Sequence, residues 1–185
     1  MLDTTITCGQ AFGGDIEAIN VYTALIAAKE VAGADVAIVC QGPGNAGSNT
    51  RYGFSGIQQG EALNAAGVLG GRPIMVLSMS FADKRERHRG VSHHSLTILE
   101  KVALASVAIG VPELPEDKSD FIAVQLSQVA DIGRHAMQTV DGNPGIMELE
   151  SRDIRVLTMG RCIDEDREFF LAASAGGVVV AKMIE

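Results

Sequence analysis

The short apolar run Ile74-Met75-Val76-Leu77 decides how this chain of 185 residues folds. It follows Gly70-Gly71-Arg72-Pro73, which ends a helical pattern, and it leads into the polar stretch at residues 80–95. Runs that are apolar on both faces are typical of parallel strands that helices cover on each side. The pattern therefore predicts a buried strand, and the loop that follows it is rich in charged residues.

Strand, loop and helix patterns alternate five or six times along the chain. Residues 35–40, 107–111 and 154–158 are further strand-like runs, and helical periodicity covers residues 16–31, with Asp15 as the expected N-cap. This alternation predicts an α/β fold with a mostly parallel sheet of five to six strands and helices on both faces, a Rossmann-like three-layer architecture. No long linker divides the chain, so residues 1–185 are predicted to form a single domain.

Composition excludes several classes of protein. The net charge is −8, which leaves no broad basic surface, so we expect binding neither to nucleic acid nor to a membrane. No apolar run has the length of a membrane span, and the N-terminus has no signal-peptide pattern. The three cysteines, Cys8, Cys40 and Cys162, form no CxxC pair, which favours reduced thiols and a cytoplasmic location.

Four polar or glycine-rich loops follow the predicted strands, at residues 8–15, 41–56, 80–95 and 158–164. In an open parallel sheet, the loops that leave the carboxyl ends of the strands share one edge, and ligands bind there. The connections at the opposite edge, such as residues 32–34, are short and carry little chemistry. The sequence therefore predicts one ligand site where these four loops meet.

The second loop contains a G-x-G-x-x-G pattern formed by Gly42, Gly44 and Gly47. In a dinucleotide-binding fold a helix begins directly after these glycines. Here residues 48–56 intervene, which disfavours a nicotinamide cofactor, and the sequence identifies no other cofactor. Two interpretations stay open: an anion site built from backbone N–H groups, or a loop that only turns the chain. For the anion site, four side chains would add donors: Ser48, Asn49, Thr50 and Arg51.

The third loop combines arginines with a helix start. Arg87 and Arg89 are expected to bind a carboxylate or phosphate, and Ser92 would add a donor at the N-terminus of the next helix. Arg161, in the fourth loop, is a further expected anion contact. These residues favour a small anionic molecule as the ligand.

Three of the four histidines lie in the same loop. His88, His93 and His94, with Asp83, are the candidates for proton transfer near neutral pH. A metal-dependent hydrolase that uses His88, His93 and Asp83 is an alternative. The arginines count against it because they repel a cation, and two adjacent helical histidines point about 100° apart.

Further alternatives concern residues outside this loop or need no reaction. Cys8 or Cys40 could pair with a histidine as a nucleophile, although free cysteines are more often small buried hydrophobic residues. His135 lies alone in a strand-like segment and is expected to be structural. The chain could also be a ligand-binding module without activity, or the basic loop could contact a second subunit in a homo-oligomer.

Distinctive short motifs lie throughout the chain. They are Gly9-Gln10-Ala11-Phe12-Gly13-Gly14-Asp15, Gly42-Pro43-Gly44, Gly53-Phe54-Ser55-Gly56, Ser80-Phe81-Ala82-Asp83, Arg87-His88-Arg89-Gly90-Val91-Ser92-His93-His94 and Thr158-Met159-Gly160-Arg161. Together they resemble the bacterial family called domain of unknown function 3866, in particular its C-terminal part. The resemblance implies that other members have additional N-terminal sequence. The family name carries no activity, so the resemblance assigns no catalytic residue.

Overall fold

The computed structural model describes residues 2–42 and 44–185, so Pro43 of the glycine loop lies outside the described residues. The helices and strands follow one another in this order: β1 (Ile6–Cys8), β2 (Ile16–Ala18), α1 (Val21–Glu30), α2 (Gln58–Val68), β3 (Ile74–Met75), β4 (Met79–Ser80), β5 (Gly90–Val91), α3 (His93–Thr97), β6 (Ala108–Pro112), α4 (Glu116–Ser127), β7 (Ala136–Val140), α5 (Asn143–Ser151) and α6 (Arg167–Ile184). A π-helical turn at Ile98–Val102 extends α3. The prediction of a mixed α/β fold is confirmed.

The strands form three small sheets. The largest has the order β3-β6-β7, with parallel neighbours throughout. β1 and β2 form a separate parallel pair, and β4 pairs with β5 in antiparallel orientation. A single Rossmann-like sheet of five to six strands is therefore not confirmed, because the strands are short and are divided among these sheets.

The apolar run at residues 35–40 differs most from its prediction, since it forms no strand. Ile38 is 77% exposed and Val39 is 52% exposed. A strand needs a neighbour that completes its ladder of hydrogen bonds and a cover for its apolar face. β3 has both, because it pairs with β6 and its Met75 is completely buried. The predicted strand at residues 154–158 likewise forms only a single bridge, between Thr158 and Arg161.

Helix α1 begins at Val21 and not directly after Asp15. Its N-cap is Asn20, whose side chain accepts a hydrogen bond from the backbone N–H of Thr23. The Asp15 carboxylate instead accepts from the backbone N–H of Thr5 at 2.8 Å and thereby joins β2 to β1. Asp15 and Asn20 are both good N-cap residues. Asp15, the expected cap, is instead used in the contact between β1 and β2.

The main core packs β3, β4 and β6 against α4 and the π-helical turn after α3, and a smaller apolar cluster lies where helix α6 crosses the largest sheet. The crossing point is Gly110 in β6, where an added Cβ would lie 2.5 Å from the carbonyl oxygen of Ala175. Only glycine permits this close approach without a shift of the helix. Ala172, Ala175 and Val179 of α6 are completely buried. In the part of the chain that the structure describes, no helix is long and apolar enough to cross a membrane.

Candidate functional site

A cleft of about 520 Å³ lies beside the end of β4. Three of the four predicted loops line it: the glycine loop after residue 40, the His/Arg loop between β4 and β5, and the turn at residues 158–161. The remaining loop, at residues 8–15, connects β1 to β2 in their separate sheet and is not among the residues that line the cleft. Most of the predicted convergence of loops is therefore found, although it is not at the edge of one large sheet.

The antiparallel β4-β5 hairpin positions the histidines. Met79 pairs with Val91, which returns the chain to the cleft directly before α3. Ser92 then caps α3, with its hydroxyl accepting a hydrogen bond from the backbone N–H of His94 at 3.3 Å. This turn places His93 and His94 at the first positions of the helix, next to His88 from the loop of the hairpin.

His88, His93 and His94 form a compact cluster in which one nitrogen of each ring lies within 4.8 Å of the other two. The ring centroids of His93 and His94 are 4.2 Å apart, and those of His88 and His93 are 5.0 Å apart. Phe54 stacks on His94, with centroids 4.0 Å apart and planes 9° from parallel. The buried Phe54 side chain therefore fixes one ring of the cluster from the glycine-loop side.

Hydrogen bonds assign the lone pairs of two of these rings. Arg87 Nε donates to Nε2 of His88 at 3.4 Å, so Nδ1 of His88 carries the proton and donates to the Ser92 hydroxyl at 2.8 Å. Asn45 Oδ1 accepts from the backbone N–H of Gly56, which turns the Asn45 Nδ2 group toward Nδ1 of His94 at 3.2 Å. The lone pairs are therefore on Nε2 of His88 and Nδ1 of His94.

The third ring has an unsatisfied atom. Nε2 of His93 is inaccessible to solvent and has no hydrogen-bond partner among the described residues. A buried nitrogen without a partner loses its hydration without compensation, which is rare in folded proteins. This nitrogen is therefore an unusual feature of the cluster, which an ordered water or a bound ion would satisfy.

All three imidazoles favour the neutral form. Burial lowers the pKa of His88 and of His93, and nearby arginines lower both further. Burial, the two neighbouring histidines and the arginines lower the pKa of His94 to about 4. At neutral pH the cluster therefore presents uncharged rings with lone pairs, and it is poorly suited to donate protons.

Three arginines line the cleft, and two of them are neutralised by carboxylates. Arg85 forms an ion pair with Asp83 at 2.7 Å and holds the pKa of that carboxyl well below its usual range. Arg161 forms one with the buried Asp166 at 2.9 Å. Arg87 donates to the neutral Asn49 side chain and, within residues 2–42 and 44–185, pairs with no carboxylate.

Asp166 organises the floor of the cleft. Its carboxylate accepts hydrogen bonds from the Ser80 hydroxyl at 2.8 and 2.9 Å and from Arg161 Nε at 2.9 Å. The Ser80 hydroxyl in turn accepts from the backbone N–H groups of Ala82 and Asp83. One buried carboxylate thus connects β4, the His/Arg loop and the turn that precedes α6.

Most of the predicted site residues lie in the cleft. They are Gly42, Gly44, Gly47, Asn49, Asp83, Arg87, His88, His93, His94 and Arg161. Asp83 forms an ion pair with Arg85, and Arg161 forms one with Asp166. The roles of these residues stay predictions.

The remaining predicted contacts lie beside the cleft or away from it. Arg51 pairs with Glu100 and faces a second cavity, of about 380 Å³, which His93 also lines. The Arg89 guanidinium lies over the Phe121 ring, 5.5 Å from its centroid. Ser92 is buried, and its hydroxyl is hydrogen-bonded to Nδ1 of His88. The Ser48 hydroxyl lies 3.1 Å from that of Thr50.

Sequence reasoning missed several residues that shape the site. Asn45 and Phe54 hold His94, and Ser80 and Asp166 hold the cleft floor. Phe54 and Ser80 belong to short motifs that were recognised without a role. Asp166 directly precedes α6, where a carboxylate commonly serves as a favourable charge at the helix N-terminus. Here it is instead a buried partner for Arg161.

A family model described as "Protein of unknown function (DUF3866)" matches residues 1–177. The match includes every loop that lines the cleft. Neither the curated proteins nor the solved structures include a match to this chain.

Proposed function

This chain belongs to the family described as protein of unknown function (DUF3866), and we propose that it binds a small anionic molecule in the cleft and acts on it there. The ligand that the cleft favours carries a phosphate or carboxylate group. Arg87 is its main charged contact, and the three histidines lie at the reacting end.

The observation that carries this proposal is the position of Arg87. Arg85 and Arg161 are each balanced by a carboxylate, at 2.7 and 2.9 Å, so Arg87 is the lining cation that no carboxylate balances in the described residues. The chain as a whole has a net charge of −8. A concave positive site on an acidic protein attracts and retains small anions, and guanidinium groups bind phosphate and carboxylate through paired hydrogen bonds.

The shape of the cleft supports a small molecule as the ligand. Its volume, about 520 Å³, lies within the usual range for sites that bind metabolites. The glycine loop lines the same space as Arg87, and Gly42, Gly44 and Gly47 allow a ligand to approach the backbone closely. The neutral imidazoles supply lone pairs on the same wall, which can take up a proton or bind a metal ion.

A thermal-shift screen against phosphorylated and carboxylated metabolites tests the proposal, followed by turnover assays on each compound that stabilises the protein. We expect stabilisation by a subset of these anions, and loss of that effect in Arg87→Gln. Arg89→Gln is the matched control, because it removes the same charge from the same loop at a position stacked on Phe121.

Two results would count against the proposal. If no anion raised the melting temperature of the wild-type chain, the binding claim would fail. If an anion bound but was never converted, and if His93→Ala bound it equally well, the chain would be a binding module without the reaction.

A further inference from the structure

We propose that His88, His93 and His94 together bind one divalent transition-metal ion, with zinc as the ion best suited to the site. Three neutral imidazoles with one open position are a ligand set of catalytic zinc sites. The proposal adds a metal site to the cleft but does not depend on the anion, because metal binding can be measured without it.

The geometry of the cluster supports a shared ion. One nitrogen from each ring lies within 4.8 Å of the other two. An ion held at about 2.1 Å by three nitrogens in a tetrahedral arrangement places them about 3.4 Å apart. Rotations of about 1 Å at the ring edges would close this difference, which is the scale of adjustment that a bound metal imposes on its ligands.

The unsatisfied nitrogen is the second, independent observation. Nε2 of His93 is buried and has no partner in the described chain. On the other two rings, weak donors at 3.4 Å (Arg87 Nε) and 3.2 Å (Asn45 Nδ2) point at the lone pairs of His88 and His94. A metal ion would satisfy His93 and replace these two long hydrogen bonds with ligand bonds.

Ser92 is positioned as the residue that orients the first ligand. Metal-binding histidines usually donate their second ring N–H to an oxygen, which fixes the tautomer and the ring direction. Nδ1 of His88 donates to the buried Ser92 hydroxyl at 2.8 Å, which leaves Nε2 as the free lone pair. The serine thus keeps His88 in the form that binds a metal.

The sequence analysis counts the arginines against a metal site because they repel a cation. Ion pairs in the structure remove part of that repulsion. Arg85 is neutralised by Asp83, and Arg161 by Asp166. Arg87 is the one unneutralised cation lining the cleft in the described residues, and it donates to Asn49. A metal ion and Arg87 in the same cleft would both attract the anion of the proposed function.

Titration of the purified, chelator-treated chain with Zn²⁺ alone and with Co²⁺ alone tests the metal site. We expect one ion per chain by elemental analysis, and the intense visible absorption of four-coordinate Co²⁺ with nitrogen ligands. His93→Gln should weaken binding by about 100-fold or more, and Ser92→Ala by about 10-fold. His135→Gln is the matched control, because it removes the one histidine outside the cluster and should leave metal affinity unchanged.

Several outcomes would overturn the metal site. Substoichiometric zinc in the folded wild-type chain would do so, and so would octahedral Co²⁺ absorption or equal affinity in His93→Gln and His135→Gln. If His93→Gln does not fold, His94→Gln replaces it, since it removes another ligand of the same proposed ion. Anion binding is measured separately in the presence of chelator, so failure of the metal site and failure of the proposed function give different results.

Discussion

The apolar runs at residues 36–39 and 74–77 have the same sequence pattern, but only the second contains a strand. The second contains strand β3, with Met75 and Leu77 buried in the main core. The first forms no strand, and its Ile38 is 77% exposed. The difference extends to their surroundings: none of the described residues before Phe54 is buried, whereas buried residues recur from Phe54 to α6.

This comparison shows which part of the molecule holds the site. The histidines and the buried Asp166 belong to the well-packed region, whereas Arg87 is exposed on the loop between β4 and β5 and is held by hydrogen bonds to Asn49 and His88. The glycine loop enters the cleft from the exposed region, and the contacts of Asn45 with His94 and Gly56 hold it there. The floor of the cleft is therefore rigidly supported, and its glycine wall depends on a few hydrogen bonds.

The largest effect that we predict is on the free energy of unfolding, when one residue in each apolar run is changed to alanine. Met75→Ala leaves a cavity in a fully buried position and should lower the free energy of unfolding by about 2–5 kcal/mol. Ile38→Ala should change it by less than about 0.5 kcal/mol, because the side chain is already in solvent. Urea denaturation of both variants measures the contrast. Comparable losses would show that residues 36–39 are packed in solution.

The next largest predicted effect on stability concerns the close contact between β6 and α6. Gly110→Ala places a methyl group 2.5 Å from the Ala175 carbonyl oxygen and should cost about 1–3 kcal/mol. Gly177→Ala is the control in α6, where an added Cβ would meet nothing within 4 Å. That change should stabilise the helix by about 0.5–1 kcal/mol. The account of the core would be wrong if both variants shifted the melting temperature in the same direction.

A smaller predicted effect is the dependence of stability on pH that arises from His94 in the histidine cluster. The pKa of His94 is about 4 in the folded chain, because of burial and of the positive groups that face it, whereas an unfolded histidine has a pKa near 6.5. Between these values the unfolded chain binds more protons, so stability should fall as the pH decreases from 6.5 to 4. Allowing for the partial exposure of the ring, we expect a loss of about 1–2 kcal/mol.

The measurement is urea denaturation at a series of pH values in the presence of chelator, for the wild type and for His94→Gln. The variant should lose less stability over this range, because its unfolded state takes up one proton fewer. Identical pH profiles would contradict the lowered pKa of His94. Carboxylates such as Asp83 titrate at lower pH and affect both proteins equally.

The sequence predicts which loops meet in the cleft better than it predicts the sheet. The His/Arg loop, the glycine loop and Arg161 meet in one cleft, because each directly follows or precedes an element that the periodicity identifies. The sheet order depends on pairings between distant strands, and a run such as residues 36–39 carries no sign of whether a partner will cover it. The same limit explains why Asp166 and Phe54 were missed, since their roles come from contacts across the fold.

The most direct test of the central claim is calorimetric titration of inorganic pyrophosphate into the wild type, Arg87→Gln and Arg89→Gln, each in chelator. Pyrophosphate presents two phosphate groups to the cleft without other chemistry. We predict that Arg87→Gln weakens binding by roughly 10- to 100-fold, the usual effect of losing a hydrogen bond to a charged group, while Arg89→Gln binds like the wild type. Equal losses in the two variants, or no heat of binding to the wild type, would contradict an anion site organised around Arg87.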